Sequence, residues 1–201
     1  MIDKHFDFKR ASVLENQDRL AELRIDKLLS DLCEIKEGMT CVDLGSGTGV
    51  FTFVMANHVG ENGIVYVVDD SNEMLEYIRS KNPSDNMTLI HRDVGDTRLK
   101  SEIADICLLA CILHEVNTLE KCINEAYRLL KQDGKIMVVE WKTELTPKGP
   151  PLEDRIAKDK TMRLFYQTGF EDYKYIDWSI NYYAAIGIRQ NSNLPQRGIK
   201  S

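Results

Sequence analysis

No apolar stretch in this chain is long enough to cross a membrane, because its longest apolar runs, such as residues 106–113, fall far short of about 20 residues. The first ten residues alternate charged and apolar types and lack the apolar centre of a secretory signal. The five cysteines form an odd set without a CxxC pair. We therefore expect a cytoplasmic protein with reduced thiols and no stable membrane insertion.

The chain also lacks a dense cluster of basic residues. It has 26 lysines and arginines against 32 aspartates and glutamates, which gives a formal net charge of −6 at pH 7. Proteins that bind polyanions usually present a basic face. The composition therefore disfavours nucleic acid as a partner.

Strand-like and helix-like segments alternate along most of the 201 residues. Apolar runs and β-branched residues predict strands at residues 40–44, 64–68, 87–91, 104–111 and 135–141. Helical periodicity predicts helices at residues 24–33, 50–59, 71–81, 118–130 and 159–168, with Asn117 and Glu120 as a capping box for the fourth. Repeated strand–helix units imply a parallel sheet with helices on both faces, an α/β fold.

The end of the chain departs from this alternation. Residues 173–176 and 182–188 have the pattern of strands, and the link between them is too short for a crossover helix, so they are predicted to form an antiparallel hairpin. Residues 142–154 are rich in proline and glycine and are predicted to form a long loop, which in a compact domain is often functional. Residues 191–201 are predicted to be a flexible tail.

A glycine-rich turn follows the first predicted strand. Gly45, Gly47 and Gly49 are spaced G-x-G-x-G, and a helix is predicted to begin directly after them. Glycine lets a backbone approach a ligand closely, and the N–H groups at a helix N-terminus attract anions. The dinucleotide fingerprint G-x-G-x-x-G requires a glycine where this chain has Val50, which disfavours a nucleotide-dependent oxidoreductase.

The turn and the strand before it resemble the first motif of class I methyltransferases, which bind S-adenosylmethionine. The residues that carry the resemblance are Val42, Asp43, Leu44, Gly45, Ser46, Gly47, Thr48 and Gly49. The resemblance implies that residues 43–49 hold the methionine part of this cofactor and that Asp43 binds its cationic amino group. It also implies a doubly wound, Rossmann-like fold whose seven-stranded, mostly parallel sheet ends in the antiparallel hairpin.

Acidic residues follow the next two predicted strands. Asp69 ends the second strand, where a carboxylate can accept hydrogen bonds from both ribose hydroxyls; Asp70 is its rival, and the family pattern favours Asp69. The resemblance further implies that Asp93 receives the adenine amino group and that the N–H of Val94 meets a ring nitrogen. Ala110, at the end of the fourth strand, completes the predicted cofactor site, because the carboxyl ends of parallel strands lie along one edge of a sheet.

Three features of the sequence bear on the molecule that accepts the methyl group. Residues 112–116 resemble a stretch of the ubiquinone/menaquinone-biosynthesis and related small-molecule methyltransferases, and residues 128–135 resemble another, from which Gln132 and Asp133 depart. His114 is either a general base near the methyl group or a wall residue hydrogen-bonded to backbone. The resemblance implies direct in-line transfer of a methyl group from S-adenosylmethionine to a small-molecule acceptor, without a metal. The alternative is a non-catalytic module that binds S-adenosylmethionine as a sensor or scaffold.

Residues 1–24 precede the predicted methyltransferase domain, which we expect to span residues 25–190. They include His5, Phe6 and Phe8, aromatic side chains that a solvated tail would not require. The segment is either a mobile lid over cofactor and acceptor or a helix docked permanently on the flank of the sheet.

Overall fold

The apolar segments form one seven-stranded sheet in the computed structural model, which describes residues 7–144, 146 and 148–190. The strands are β1 (Thr40–Leu44), β2 (Ile64–Asp69), β3 (Met87–His91), β4 (Ala104–Ala110), β5 (Leu130–Trp141), β6 (Phe170–Asp177) and β7 (Tyr182–Arg189). Their order is β3-β2-β1-β4-β5-β7-β6; β1 to β5 pair in parallel, and β7 pairs antiparallel with β5 and β6. The predicted α/β fold, mostly parallel with a terminal antiparallel hairpin, is confirmed.

Helices cover both faces of this sheet. They are α1 (Ala11–Leu14), α2 (Gln17–Leu23), α3 (Ile25–Lys27), α4 (Val50–Val59), α5 (Asn72–Ser80), α6 (Leu119–Leu129) and α7 (Lys158–Thr168). A short 3₁₀ turn, Phe8–Arg10, precedes α1, and a π-helical stretch, Leu28–Cys33, continues α3. The helix predicted at residues 24–33 is therefore present, although most of it is π-helical.

The alternation of side chains along β4 shows how the core is divided. Ile106 and Leu108 belong to a buried cluster with α4, α5 and the π-helical stretch, whereas Cys107 and Leu109 belong to a second cluster with α6 and α7. Strands that are buried on both faces have no polar side to present, which is why β4 is almost wholly apolar.

Several element boundaries differ from the sequence prediction. Strand β4 ends at Ala110, because Cys111 has a φ of 56° and leaves the extended conformation. Strand β5 begins five residues earlier than predicted, at Leu130, and its pairing with β4 is irregular near Asp133, whose φ is 62°. A bulge breaks the period of two on which strand prediction depends, so the pattern alone could not place these ends.

The predicted helix caps have different outcomes. The Ser71 hydroxyl accepts a hydrogen bond from the Met74 N–H at 3.3 Å and caps α5, as its position predicts. The predicted capping box of Asn117 and Glu120 is wrong, because the N-cap of α6 is Thr118 and no side chain caps it. Within the described residues, no helix has the length and apolar character that a membrane span requires.

Candidate functional site

The glycine-rich turn connects β1 to α4 at the carboxyl edge of the sheet. Gly45, Gly47 and Gly49 have φ angles of 80°, 53° and 83°, in the left-handed region that other residues rarely adopt. A Cβ atom on Gly45 would lie 2.5 Å from Cγ1 of Ile112, which is too close for two carbon atoms. The turn therefore requires glycine, both for its backbone conformation and for close packing.

A cavity of about 640 Å³ lies beside this turn, and we call it the glycine-loop cavity. Ten of the eleven residues predicted to bind the cofactor line it: Asp43, Gly45, Ser46, Gly47, Thr48, Asp69, Asp70, Asp93, Val94 and Ala110. The eleventh, Gly49, is the N-cap of α4 and packs near Phe53 and Ile78 instead. The volume is typical of a small-molecule site. The sheet therefore brings the sequence-predicted residues together at one place.

Two buried carboxylates form the acidic wall of this cavity. Asp43 is 1% exposed, and the Thr52 hydroxyl donates a hydrogen bond of 2.5 Å to its Oδ2. Burial raises the pKa of Asp43 to about 7, and the charge of Asp69 adds to the shift. Burial also raises the pKa of Asp69 to about 6, although this carboxylate accepts hydrogen bonds from the Gly47 and Ser71 N–H groups at 2.8 and 2.9 Å. Both carboxylates favour a ligand that is cationic or donates hydrogen bonds.

Asp70, Asp93 and Ser46 are further polar residues of the glycine-loop cavity. Asp70 and Asp93 are exposed, and Oδ1 of Asp93 accepts a hydrogen bond from the Gly95 N–H at 2.7 Å, while Val94 beside it is buried. The Ser46 hydroxyl is buried and has no hydrogen-bond partner among the described residues. A buried hydroxyl without a partner is destabilising, so Ser46 indicates that a polar ligand belongs in this cavity.

A second cavity, of about 760 Å³, adjoins the first, and we call it the adjoining cavity. Residues from α2, from the loop before α7 and from β7 line it. It shares Leu14, Arg19, Cys111 and Glu115 with the glycine-loop cavity, whereas His114 lines the adjoining cavity alone. The two spaces therefore meet at one wall, formed by these four common residues, and we call it the shared wall.

His114 lies beside this shared wall and is paired with a buried carboxylate. Its Nδ1 is 3.1 and 3.0 Å from the two oxygens of Glu140, which is 0% exposed, and its Nε2 is 3.5 Å from Oε1 of Glu115. Burial alone would lower the pKa of His114, but Glu140 and Glu115 outweigh it and raise the pKa to about 10. At neutral pH the ring carries a proton on each nitrogen and donates hydrogen bonds, to carboxylates rather than to backbone.

The N-terminal segment is anchored to the core at two places. Directly after α1, the Glu15 carboxylate accepts a hydrogen bond from the hydroxyl of Tyr77 in α5 at 2.9 Å and pairs with Lys81, the C-cap of α5. The Phe8 ring packs edge-on against Tyr77, with ring centroids 5.9 Å apart. Residues 1–6, including His5 and Phe6, lie outside the described part of the chain.

The second anchor joins α2 to the hairpin of β6 and β7. The Glu22 carboxylate accepts hydrogen bonds from the Ser179 hydroxyl at 2.8 Å and from the Asn181 backbone and side chain at 2.9 and 2.7 Å. The Trp178 indole donates a hydrogen bond of 2.7 Å to the Leu23 carbonyl. Leu14 and Arg19 lie between Phe8 of the first anchor and Glu22 of the second along the chain. These contacts therefore hold the two residues of the shared wall in place.

The loop before α7 is organised by one buried arginine. The Arg155 guanidinium donates hydrogen bonds of 2.9–3.0 Å to the carbonyl oxygens of Lys142, Glu144, Lys148 and Pro150. A guanidinium has five donors in a rigid plane, so it can fix several turns of a loop at once. This loop contributes residues 148–151, 153 and 154 to the lining of the adjoining cavity.

Sequence reasoning assigned none of the four residues of the shared wall to the site. Leu14 and Arg19 are separated from the glycine-rich turn by a helical segment and strand β1, and no local pattern indicates that their segment folds back over it. Glu115 directly follows His114, whose side chain is the more common general base in enzymes. The adjacency of two titratable residues after a central strand was the available signal.

Comparison with known proteins agrees with this geometry. The sequence model of the methyltransferase domain family matches residues 35–176, which is most of the chain. The chain belongs to this family. The match confirms the resemblance to class I S-adenosylmethionine-dependent methyltransferases that the glycine-rich turn indicates.

Individual relatives of this methyltransferase domain are distant. It is 31% identical to human arsenite methyltransferase over 112 residues, which cover 50% of this chain and 30% of that protein. It is 29% identical to the ubiquinone/menaquinone biosynthesis C-methyltransferase UbiE of Psychromonas ingrahamii over 119 residues, which cover 57% of this chain and 47% of that protein. The chain thus spans less than half the length of either curated relative.

Solved structures share the fold more completely. The structure of a SAM-dependent methyltransferase from Aquifex aeolicus superposes with a TM-score of 0.85 over 92% of this chain and 99% of that one, at 24% sequence identity. A phosphoethanolamine N-methyltransferase from Haemonchus contortus, solved with phosphomonomethylethanolamine and S-adenosylhomocysteine, superposes with a TM-score of 0.70 at 14% identity, over 85% of this chain and 52% of that one. At these identities the likeness establishes the fold.

Proposed function

We propose that this domain binds S-adenosylmethionine in the glycine-loop cavity and transfers its methyl group, by direct in-line displacement, to a small molecule in the adjoining cavity. The observation that carries the proposal is the pair of cavities that meet at one wall. A non-catalytic sensor would require only the first cavity. The second provides a place for an acceptor, which favours an enzyme over a sensor or scaffold.

The groups in the glycine-loop cavity fit the proposed cofactor. The cationic amino group of the methionine part would stabilise the charged form of Asp43, whose pKa is raised to about 7 in the free protein. The Ser46 hydroxyl would gain a hydrogen-bond partner in the same ligand. Asp69 would accept hydrogen bonds from the ribose hydroxyls, with exposed Asp70 as the alternative. Asp93 and the Val94 N–H would receive adenine. This assignment follows the order of the strands along the sheet edge.

The chemistry that we propose requires positioning more than acid–base catalysis. The bound sulfonium supplies a strongly activated methyl group, for which no metal is required. The protein's contribution is to align the acceptor and exclude water, which can supply about 7–11 kcal/mol of the barrier. Leu14 and the thiol of Cys111, which burial holds neutral by raising its pKa to about 12, are the uncharged side chains of the shared wall.

For His114 we favour a positioning role over a general base. A ring with a pKa of about 10 is already protonated at neutral pH and cannot accept a second proton. Its pairing with Glu140 fixes the wall of the adjoining cavity. The prediction of a general base would require this pair to separate when the acceptor binds.

Two further expectations accompany the proposal. The two curated relatives named above act, by their names, on arsenite and on quinone precursors, which supports a small-molecule acceptor, and the acidic net charge still disfavours nucleic acid. All five cysteines lie within the described residues and are free thiols, which supports a cytoplasmic location.

Calorimetric titration with S-adenosylhomocysteine tests the cofactor site. We expect saturable binding to the wild type and a roughly 10- to 150-fold loss of affinity in Asp69→Asn, because a hydrogen bond to a charged group contributes about 1.5–3 kcal/mol. Asp70→Asn is the matched control and should change the affinity little. A loss in Asp70→Asn alone would exchange the roles of the two residues, and equal losses in both variants would refute the assignment to Asp69 alone. Absence of binding to the wild type would refute the proposed function.

A further inference from the structure

The shared wall is the passage between cofactor and acceptor. The residues that line both cavities are Leu14, Arg19, Cys111 and Glu115. A methyl group that moves from the glycine-loop cavity to the adjoining cavity must pass this wall. The side chains of these four residues therefore form the immediate surroundings of the transfer.

Of these four side chains, Glu115 is the one that carries a negative charge. Leu14 is apolar, and Arg19 offers donors alone, one of which bonds the Leu14 carbonyl at 2.6 Å. The Cys111 thiol is held neutral by burial, which raises its pKa to about 12. Glu115 is thus the group of this wall that can attract a cation or receive a proton.

Glu115 is also held in position by His114, which is itself paired with Glu140. Its carboxylate lies 3.5 Å from Nε2 of the protonated His114, whose other nitrogen is bonded to the fully buried Glu140. The backbone N–H of Trp141 donates a hydrogen bond of 3.0 Å to the Glu140 carboxylate. This row of carboxylate, imidazolium and carboxylate leads from strand β5 to the shared wall and orients Glu115 there.

We propose that Glu115 faces both the transferred methyl group and the reacting atom of the acceptor, and that it selects an acceptor whose nucleophile carries a proton, such as an amine or a hydroxyl, over an anionic one. The proposal rests on the proposed function of the two cavities. A carboxylate at this wall attracts a positive charge in the cofactor cavity and accepts a hydrogen bond from an N–H or O–H in the adjoining cavity. It repels an anion in the same place.

The proton balance of the step follows from this placement. As the lone pair of the nucleophile forms its bond to the methyl carbon, the carbon–sulfur bond breaks and its electron pair stays on sulfur. The proton of the nucleophile passes to the Glu115 carboxylate, which becomes a neutral carboxyl group and later releases that proton to water. His114, already protonated, positions Glu115 and takes no proton.

Two ligands that differ at this one place provide the test. Sinefungin resembles S-adenosylhomocysteine but carries a protonated amine where the S-methyl group of the cofactor would be, so it places an ammonium group at the shared wall. We expect the wild type to bind sinefungin more tightly than S-adenosylhomocysteine in calorimetric titrations at neutral pH. In Glu115→Gln the affinity for sinefungin should fall roughly 10- to 150-fold, as for a lost charge-assisted hydrogen bond, while that for S-adenosylhomocysteine changes little.

Two further variants make the result specific. Glu153→Gln removes the same charge from an exposed position that lines the adjoining cavity alone, and it should leave both affinities unchanged. Glu115→Asp keeps the charge with a shorter reach and should retain part of the preference for sinefungin, which keeps the test valid if Glu115→Gln fails to fold.

The outcomes separate this inference from the proposed function. If the Glu115 variants keep the full preference for sinefungin, or lose affinity for both ligands equally, the role of Glu115 is refuted while the cofactor site stands. If the wild type binds neither ligand, the proposed function itself fails.

Discussion

The buried carboxylate of Asp43 should make the ligand-free protein less stable than it could be. Its ordinary pKa of 3.8 is raised to about 7, chiefly by burial, so the folded protein holds the charged form less well than the unfolded chain does. A group whose pKa is raised on folding stabilises the fold at low pH and loses that contribution as the pH rises through the folded-state value. Asp43 should therefore destabilise the ligand-free protein progressively between about pH 4 and pH 7.

Asp43→Asn removes this charge while it keeps an oxygen that can accept the Thr52 hydrogen bond. A rise of about three pKa units corresponds to roughly 4 kcal/mol, of which the burial of an amide takes back a part, so we expect a gain of about 1–3 kcal/mol at pH 8. For a domain of this size, each kcal/mol raises the Tm by about 2–4 °C. The same variant should lose most of the stabilisation by S-adenosylhomocysteine, because the amino group of the ligand loses its counter-charge.

Thermal melts of wild type and Asp43→Asn at pH 5 and pH 8, with and without S-adenosylhomocysteine, measure both effects. The gain in Tm should be small at pH 5 and full at pH 8. Thr52→Val is the matched control: it keeps the carboxylate but removes its donor, and should lower the Tm at pH 8. A variant Asp43→Asn that is less stable than the wild type at pH 8, or whose gain is the same at both pH values, would refute the reasoning.

Other features of the site lead to shorter predictions. Gly47→Val should fold but lose stabilisation by S-adenosylhomocysteine, because a side chain at a φ of 53° is strained and would project towards Leu14, where Cδ1 already lies 3.2 Å from an added Cβ; undiminished stabilisation would contradict the site. The affinity for S-adenosylhomocysteine should fall as the pH drops below about 7, by up to tenfold per pH unit, because Asp43 must ionise to bind the amino group; a flat titration between pH 5 and pH 8 would exclude that role. S-adenosylhomocysteine should slow hydrogen exchange in residues 7–24 as well as in residues 43–49. Glu22→Gln, which weakens the anchor to Asn181, should speed exchange in residues 7–24 of the free protein. If neither change alters the exchange rate of residues 7–24, the segment is a fixed part of the fold.

The residues that line the glycine-loop cavity could be predicted because their determinants are local. The glycines stand directly between β1 and α4, and Asp69 ends its own strand. Once a parallel sheet is inferred, its geometry places every such strand end on one edge. Gly49 is the exception, since its position in the motif gives no sign that it faces a helix and not the cavity.

The adjoining cavity could not be predicted because its contacts join distant parts of the chain. Glu22 bonds Asn181, 159 residues away, and His114 bonds Glu140 across β4 and β5. No periodicity links such pairs. Irregular backbone adds to the difficulty: the positive φ of Cys111, which turns the chain towards the shared wall, occurs at a residue type that seldom adopts it.

The two cavities differ in how many of their lining residues lie within the part of the chain that matches the family. This difference determines what family membership implies about the acceptor. Of the 26 residues that line the glycine-loop cavity, two, Leu14 and Arg19, lie outside the matched residues 35–176. Of the 20 that line the adjoining cavity, ten lie outside them, eight in the N-terminal segment together with Asn181 and Tyr182. The strand ends that we propose to hold the cofactor are thus part of the shared domain, whereas half of the residues that line the proposed acceptor cavity come from segments beyond it. Such segments can differ between proteins that share a domain, and the relatives of this chain include proteins named for arsenite methylation and for ubiquinone/menaquinone biosynthesis. The acceptor of this domain has to be inferred from its own wall, where Glu115 is the acidic group that both cavities share.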